Sequence, residues 1–413
     1  MNISSLINHV CELYSSINDW NRPADKVISE YFKKRKYLGS KDRTFILKFI
    51  YGIIRNKLLL EELHTKVFLI HTKNIFNELI YIFNLIFEKN ELVNSLFEDY
   101  KHLNDKIFEE YKSLTSDITK KYSFPDWMIN EFEKIISKSE MELFLESLNS
   151  AAPITIRIVK NEFLDDLKVA LNKRNAELLK CKFAPHAYYV SKRVNFPEIK
   201  LFKKGVFEVQ DEGSQLVTLF SGAKGNMKIL DACAGAGGKA LYLSLLIDEE
   251  GMVYAYDIDS ERLNSFKKRL KGKGYSKIKI IESKEELQKL KNTFDLVVID
   301  APCTGSGTIR RNPDLKWRLK KEDILYRSNI QKEILNEYAD YVKDGGFLLY
   351  ITCSFFVDEN EKVIDVLSKS NFSVVYNKEF FEKYNIQIIK GELRLYPHIH
   401  NTDGFTAFLL KKN

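Results

Sequence analysis

Cysteine is scarce and scattered: Cys11, Cys181, Cys233, Cys303 and Cys353 are the only five in 413 residues, and no two form a CxxC pair. An odd, widely spaced set excludes a disulfide-stapled scaffold and offers no ligand spacing for structural zinc. Long apolar runs are also missing. The nearest, Leu79 to Phe87, is broken by Asn84 and falls well short of the ~18 residues that cross a bilayer. The opening MNISSLINHVCELYSSINDW has no basic stretch leading into an apolar core, so no signal peptide is expected. No glycine is followed by four spacers and GK[ST], which argues against a P-loop nucleotide triphosphatase. Glycine itself is nearly absent early on: of 18, only Gly39 and Gly52 lie in the first 200 residues.

What is present divides the chain by character. Hydrophobic content of 45% with 29% charged residues supports a sizeable core and excludes wholesale disorder. Ala24–Phe32, Arg43–Leu59 and Phe76–Leu96 carry apolar residues at i, i+3, i+4 spacing, so residues 1 to 120 are expected to be all-helical. The basic run Lys33–Arg43 lies between two of those helices. Residues 121–204 read as a small α/β module, with strand-like ITIRIVK (Ile154–Lys160) and AYYVSKRV (Ala187–Val194) flanking helical FLDDLKVALNK. The net charge of +7 falls in residues 151–204, which hold 12 basic and 5 acidic residues, and this suggests a polyanionic partner. From Gly205 to the C-terminus strand, loop and helix alternate, which implies a doubly wound, mainly parallel sheet.

In such sheets ligands bind at the carboxyl ends of the strands. The first strand of this region runs into LDACAGAGGKA (Leu230–Ala240), where Gly235, Gly237 and Gly238 allow close backbone approach and present amides at a helix start. The second ends in YDID, placing Asp257 to accept hydrogen bonds from ribose hydroxyls. The pair fits a nucleoside cofactor. Two further strands end in chemistry: DLVVIDAPCTGSGT (Asp295–Thr308) in Asp300 and Cys303, and GGFLLYITCSFF (Gly345–Phe356) in Cys353. Thiols suit attack at carbon-6 of a pyrimidine, which makes carbon-5 nucleophilic toward a methyl donor. Asp300 then meets the ring's amidine-like edge, and a base removes the carbon-5 proton. Residue order alone does not rank the two cysteines, and the reverse assignment stays open.

DACAGAGGKA, DAPCTGSGT and ITCS, in this order, resemble the RsmB (Sun) family of S-adenosylmethionine-dependent RNA cytosine-5 methyltransferases. VQDEGSQL (Val209–Leu216), RRNPDLKW (Arg310–Trp317) and HIHNTDGFTAFLL (His398–Leu410) resemble further segments of that family, and LGSKDRTFILKFIYGIIR (Leu38–Arg55) its NusB-like domain. The resemblance implies a Rossmann-like class I methyltransferase domain at 205–413, an RNA-binding α/β module at 121–204 and an all-helical NusB-like domain at 1–120. It further implies Cys353 as nucleophile, Cys303 assisting release, and Asp300 and Lys239 at the target base. Cys233, Ala234, Gly235, Ala236, Gly237, Gly238, Lys239, Asp257 and Asp300 would hold S-adenosylmethionine. Arg310, Arg311, Lys316 and Trp317 would grip RNA. The expected protein is a cytoplasmic monomer acting on 16S rRNA, without metal or membrane; tRNA methylation and a non-catalytic assembly role are the alternatives. The family commonly has Pro where Ala236 stands. His398 and His400 alternate as on one strand face, with no third ligand to make a metal site.

Overall fold

Glycine-poor, periodic sequence folds into helices whose apolar stripes converge. Ile3–Ile17, Ala24–Lys34, Ser40–Arg55, Lys57–Val67 and Ile75–Phe83 are α-helical, and Val10, Leu13, Ile46, Phe49, Ile50, Leu60 and Leu63 meet in one core. The helix expected over Phe76–Leu96 is interrupted. After Phe83 the chain takes a wider turn over Asn84–Glu88, closed by Lys89 at φ +52°. Buried Asn84 anchors it through Asn90 and Asn94. The computed structural model describes residues 1–68, 75–367, 371–386 and 391–413. Two compact units emerge, one formed by Met1–Ala151 with Ile309–Lys321, the other by Ala152–Thr308 with Glu322–Asn413.

The helical unit therefore continues past residue 120, the expected boundary. Ile118–Tyr122, Asp126–Phe132 and Met141–Asn149 belong to it, because Phe124, Phe132 and Phe144 are fully buried against one another and Ser123 Oγ accepts from Leu58 N at 2.7 Å. It also takes back Ile309–Lys321 from far along the chain.

The second unit contains two sheets. In the smaller, β1 (Ile154–Ile158), β2 (Leu178–Lys180), β3 (Ala187–Val190) and β4 (Phe207–Val209) run antiparallel in the order β2-β3-β1-β4. β4 pairs Val209 with Ile156, so this sheet closes beyond residue 204. The larger sheet holds β5 (Lys228–Asp231), β6 (Met252–Ala255), β7 (Ile278–Ile280), β8 (Phe294–Asp300), β9 (Val342–Thr352), β10 (Phe372–Val374), β11 (Leu393–Leu395) and β12 (Phe405–Lys412). Its order is β10-β12-β9-β8-β5-β6-β7, with β11 on β12. β9, β8, β5, β6 and β7 are parallel, while β12 runs against β9 and β10. The central strands are apolar throughout because both faces are covered: Ile229, Leu296, Val298, Leu349 and Ile351 pack on one side and Leu230, Val297, Ile299, Leu348 and Tyr350 on the other. β5 is the switch point, since the strand order runs outward from it in both directions.

No helix among the described residues is long and apolar enough to cross a membrane. His398 and His400 lie in a helical turn, Pro397–His400, and not on a strand; His400 Nδ1 accepts from Tyr396 N at 2.9 Å.

Candidate active site

Four adjacent strands of the second unit, β9, β8, β5 and β6, end at one edge. Beyond β5 the chain makes the glycine turn and enters the helix Gly238–Leu246. Gly237 has φ +81°, and a Cβ there would lie 2.0 Å from the Phe266 ring, so no other residue fits. Beyond β6, Asp257 is buried and turns its carboxylate toward the turn. Its Oδ2 accepts from Gly235 N at 2.7 Å and its Oδ1 from Asp259 N at 2.9 Å, leaving each oxygen a further lone pair. Next to it Ile258 is 92% exposed, an aliphatic surface that no motif in the sequence marks. The turn is braced from outside: Arg269 donates to the Ala236 carbonyl at 2.8 Å and to buried Glu208 of β4 at 2.7 Å.

Beneath the turn lies a second feature hidden in the sequence. Asp231, the last residue of β5, is 1% exposed, and among the described residues no side chain donates to its carboxylate. Burial, with Asp300 next in effect, pushes its carboxyl up to about 7. Asp231, Asp257 and Asp300 thus surround a glycine turn where a side chain at Gly235 or Gly238 would meet no atom within 4 Å. A buried carboxylate with no side-chain donor beside an open backbone cradle suits a nucleoside that carries positive charge, as S-adenosylmethionine does. Cys233, within the turn, is pushed well up by burial and by Asp231, which makes it a poor thiolate.

Beyond β8 and β9 the structure brings four predicted residues together. Cys303 Sγ and Cys353 Sγ are 3.3 Å apart, both partly exposed. Lys239, on the first turn of the helix after the glycines, donates to Asp300 Oδ2 at 2.6 Å. Burial works against the Lys239 ammonium, but Asp300 outweighs it and holds the group above the usual lysine range. The Cys353 sulfur beside it, and then burial, push the Cys303 thiol well up. A cation, a carboxylate and two thiols therefore share one edge with the cofactor turn.

The segment expected to grip RNA is placed differently. Lys316 is 1% exposed in the helical unit, and its Nζ donates to Arg55 O at 2.6 Å, Ser123 O at 2.7 Å and Asn149 Oδ1 at 2.9 Å. Trp317 Nε1 donates to Ile54 O at 2.8 Å, and its ring packs near Trp20. Arg310 is buried, bonded to Ala151 O at 3.3 Å, and Arg311 beside it is partly exposed. Lys316, Trp317 and Arg310 thus take part in packing within the helical unit, and Lys316, enclosed by protein oxygens, is not placed to reach phosphates as expected. The hydrogen-bond partners named here lie 159 to 263 positions away, so nothing local signals this. Glu282 and Ser283, at the end of the third strand, pair with Lys267 at 2.7 Å and cap the helix Lys284–Gln288 respectively.

A glycine turn, a ribose-type carboxylate and an acidic pocket at the switch point of a Rossmann-like sheet define an S-adenosylmethionine-dependent class I methyltransferase. Residues 218–411 match the family described as 16S rRNA methyltransferase RsmB/F, and this part of the chain belongs to that family. It is 29% identical, over 78% of its length and 74% of the other's, to the probable ribosomal RNA small subunit methyltransferase B of Synechocystis. It is 31% identical over 70% of its length to the human 28S rRNA (cytosine(4447)-C(5))-methyltransferase, of which it spans 38%. The crystal structure of PH0851 aligns with 98% of each chain at a TM-score of 0.77 and 25% identity.

Proposed function

We propose that this chain methylates carbon-5 of a cytosine in RNA, with 16S rRNA as the substrate, through a covalent bond to Cys353. The observation that carries the reading is the 3.3 Å approach of the two thiols beside the Lys239–Asp300 pair. Relatives named for small-subunit rRNA and for cytosine-C(5) methylation support the substrate class. Bound S-adenosylmethionine supplies a sulfonium-activated methyl group. Gly235, Gly238 and Asp257 would hold its nucleoside, with exposed Ile258 beside them as an apolar surface, and Asp231 would balance its charge.

The Cys353 thiolate adds to carbon-6 of a cytosine flipped or looped out of pairing. Asp300 bonds the ring's amidine-like edge as electrons move into it, and the Lys239 ammonium steadies that carboxylate and the developing charge. Once carbon-5 has accepted the methyl group, a base removes the carbon-5 proton, and Cys303 assists release of the enzyme. The carbon-5–hydrogen electrons re-form the double bond, and Cys353 leaves. A pair of sulfurs in contact suits this hand-over, because the second must reach the ring while the first is still bonded to it.

The helical unit, read as NusB-like, and the small sheet are proposed to hold RNA through exposed cations. Lys33, Lys34, Lys36 and Lys41 lie on the former and Lys180, Lys182, Lys192 and Arg193 on the latter. The test is trapping on a denaturing gel with tritiated S-adenosylmethionine and rRNA. Cys303→Ala is expected to accumulate a protein–RNA adduct and Cys353→Ala to form none; the opposite pattern reverses the two roles. Bisulfite mapping of RNA from cells with and without the protein should show loss at a 16S cytosine, whereas loss confined to tRNA would overturn the substrate.

A further inference from the structure

The two thiols meet because the loops that carry them are tied to one side chain. Glu359 ends the short turn Val357–Glu359 after β9 and is fully buried. Its Oε1 accepts from Thr304 N at 2.8 Å and from Gln331 Nε2 at 2.9 Å. Its Oε2 accepts from Thr304 Oγ1 and Ser354 Oγ. Thr304 directly follows Cys303, and Ser354 directly follows Cys353.

The rest of the network keeps this junction in place. Gln331 Nε2 also donates to Pro302 O at 3.0 Å, so the Cys303 loop is held on both sides of its sulfur. Ser354 Oγ accepts from Phe356 N at 3.1 Å, and Ser306 Oγ from Phe355 N at 2.8 Å. Tyr350 of β9 donates its hydroxyl to the Glu359 carbonyl at 2.7 Å, and Asn360 Nδ2 donates to Ser354 O at 3.0 Å. A buried carboxyl is tolerated only where donors satisfy it. Here three of its four donors belong to the residues that follow the cysteines, so its satisfaction and the spacing of the loops are one condition.

We propose that Glu359 is a positioning residue, resting on the two-thiol reading above: it sets the separation of Cys303 and Cys353 and thereby the release of the methylated product. An amide at this position keeps the volume but replaces an acceptor with a donor facing N–H or O–H groups.

The experiment uses the full-length protein and two independent readouts. Phenylarsine oxide bridges two sulfurs only when they are close, so its affinity reports their separation without requiring methylation. Glu359→Gln is expected to weaken arsenical capture about tenfold and to lower kcat about tenfold, with KM for RNA and S-adenosylmethionine within about twofold. Thr304→Val should reproduce both losses, and Thr304→Ser should restore them. Should Glu359→Gln prove unable to fold, this Thr304 pair decides alone. Unchanged arsenical affinity in Glu359→Gln and Thr304→Val, or a loss confined to KM, overturns the proposal. If methylation is absent from the wild type, arsenical capture still tests the spacing, and the chemical reading alone fails.

Discussion

Two lysines, one in each unit, are enclosed by protein and used in opposite ways. Lys239 faces a carboxylate, Asp300, and keeps its charge above the ordinary lysine range despite burial. Lys316 faces carbonyl oxygens and the Phe124 ring, and burial, with the Arg55 guanidinium nearby, pushes its ammonium well below that range. A buried cation opposite an anion is poised for electrostatic work, whereas one among carbonyls is a three-way hydrogen-bond donor that joins segments. The contrast separates a reactive site from a structural pin where residue type alone does not.

Two substitutions test it. Lys239→Met is expected to lower kcat/KM about 10²–10³-fold, the scale for removing a buried charge that meets developing charge, with the thermal midpoint little changed. An active Lys239→Met would dissolve the distinction. Lys316→Met should leave buried carbonyls without donors and cost about 2–4 kcal/mol of stability, read by denaturant unfolding. If it instead impairs turnover in a fully stable protein, the segment has a role in catalysis that packing does not explain.

The smallest effect concerns Asp231. Its carboxyl titrates at about 7 in the fold against an ordinary 3.8, so between those values the folded chain holds a proton that the unfolded chain has released. Stability from this group is therefore present at low pH and lost as pH rises through that window. Asp231→Asn should flatten the decline, as measured by the thermal midpoint across pH. A cationic ligand favours the ionised carboxyl, so S-adenosylmethionine affinity of the wild type should rise toward pH 7 with proton release. Calorimetry in buffers of different ionisation enthalpy checks this; a pH-independent affinity would remove Asp231 from the pocket.

How legible each part is follows from the range of the interactions involved. β5, β8 and β9 read as apolar runs because both faces of a parallel sheet are covered, and the glycines, Asp257, Asp300 and the two cysteines stand at the strand ends. β2, β4 and β10, at three residues each, are too short to show alternation. Asp231 reads as an unremarkable strand end, since its isolation depends on what the sheet stacks around it. Glu359 and Lys316 are illegible for a related reason: their roles lie wholly in partners brought from 28 to 261 positions away, together with one neighbour for Glu359 at a separation of five.

Because Ile309–Lys321 completes the helical unit, a nascent chain leaving the ribosome must emerge past residue 321 before that unit can finish folding. Until then the Arg55 and Ser123 carbonyls lack the ammonium that later joins them. A polypeptide truncated at Ala151 would carry the same defect permanently.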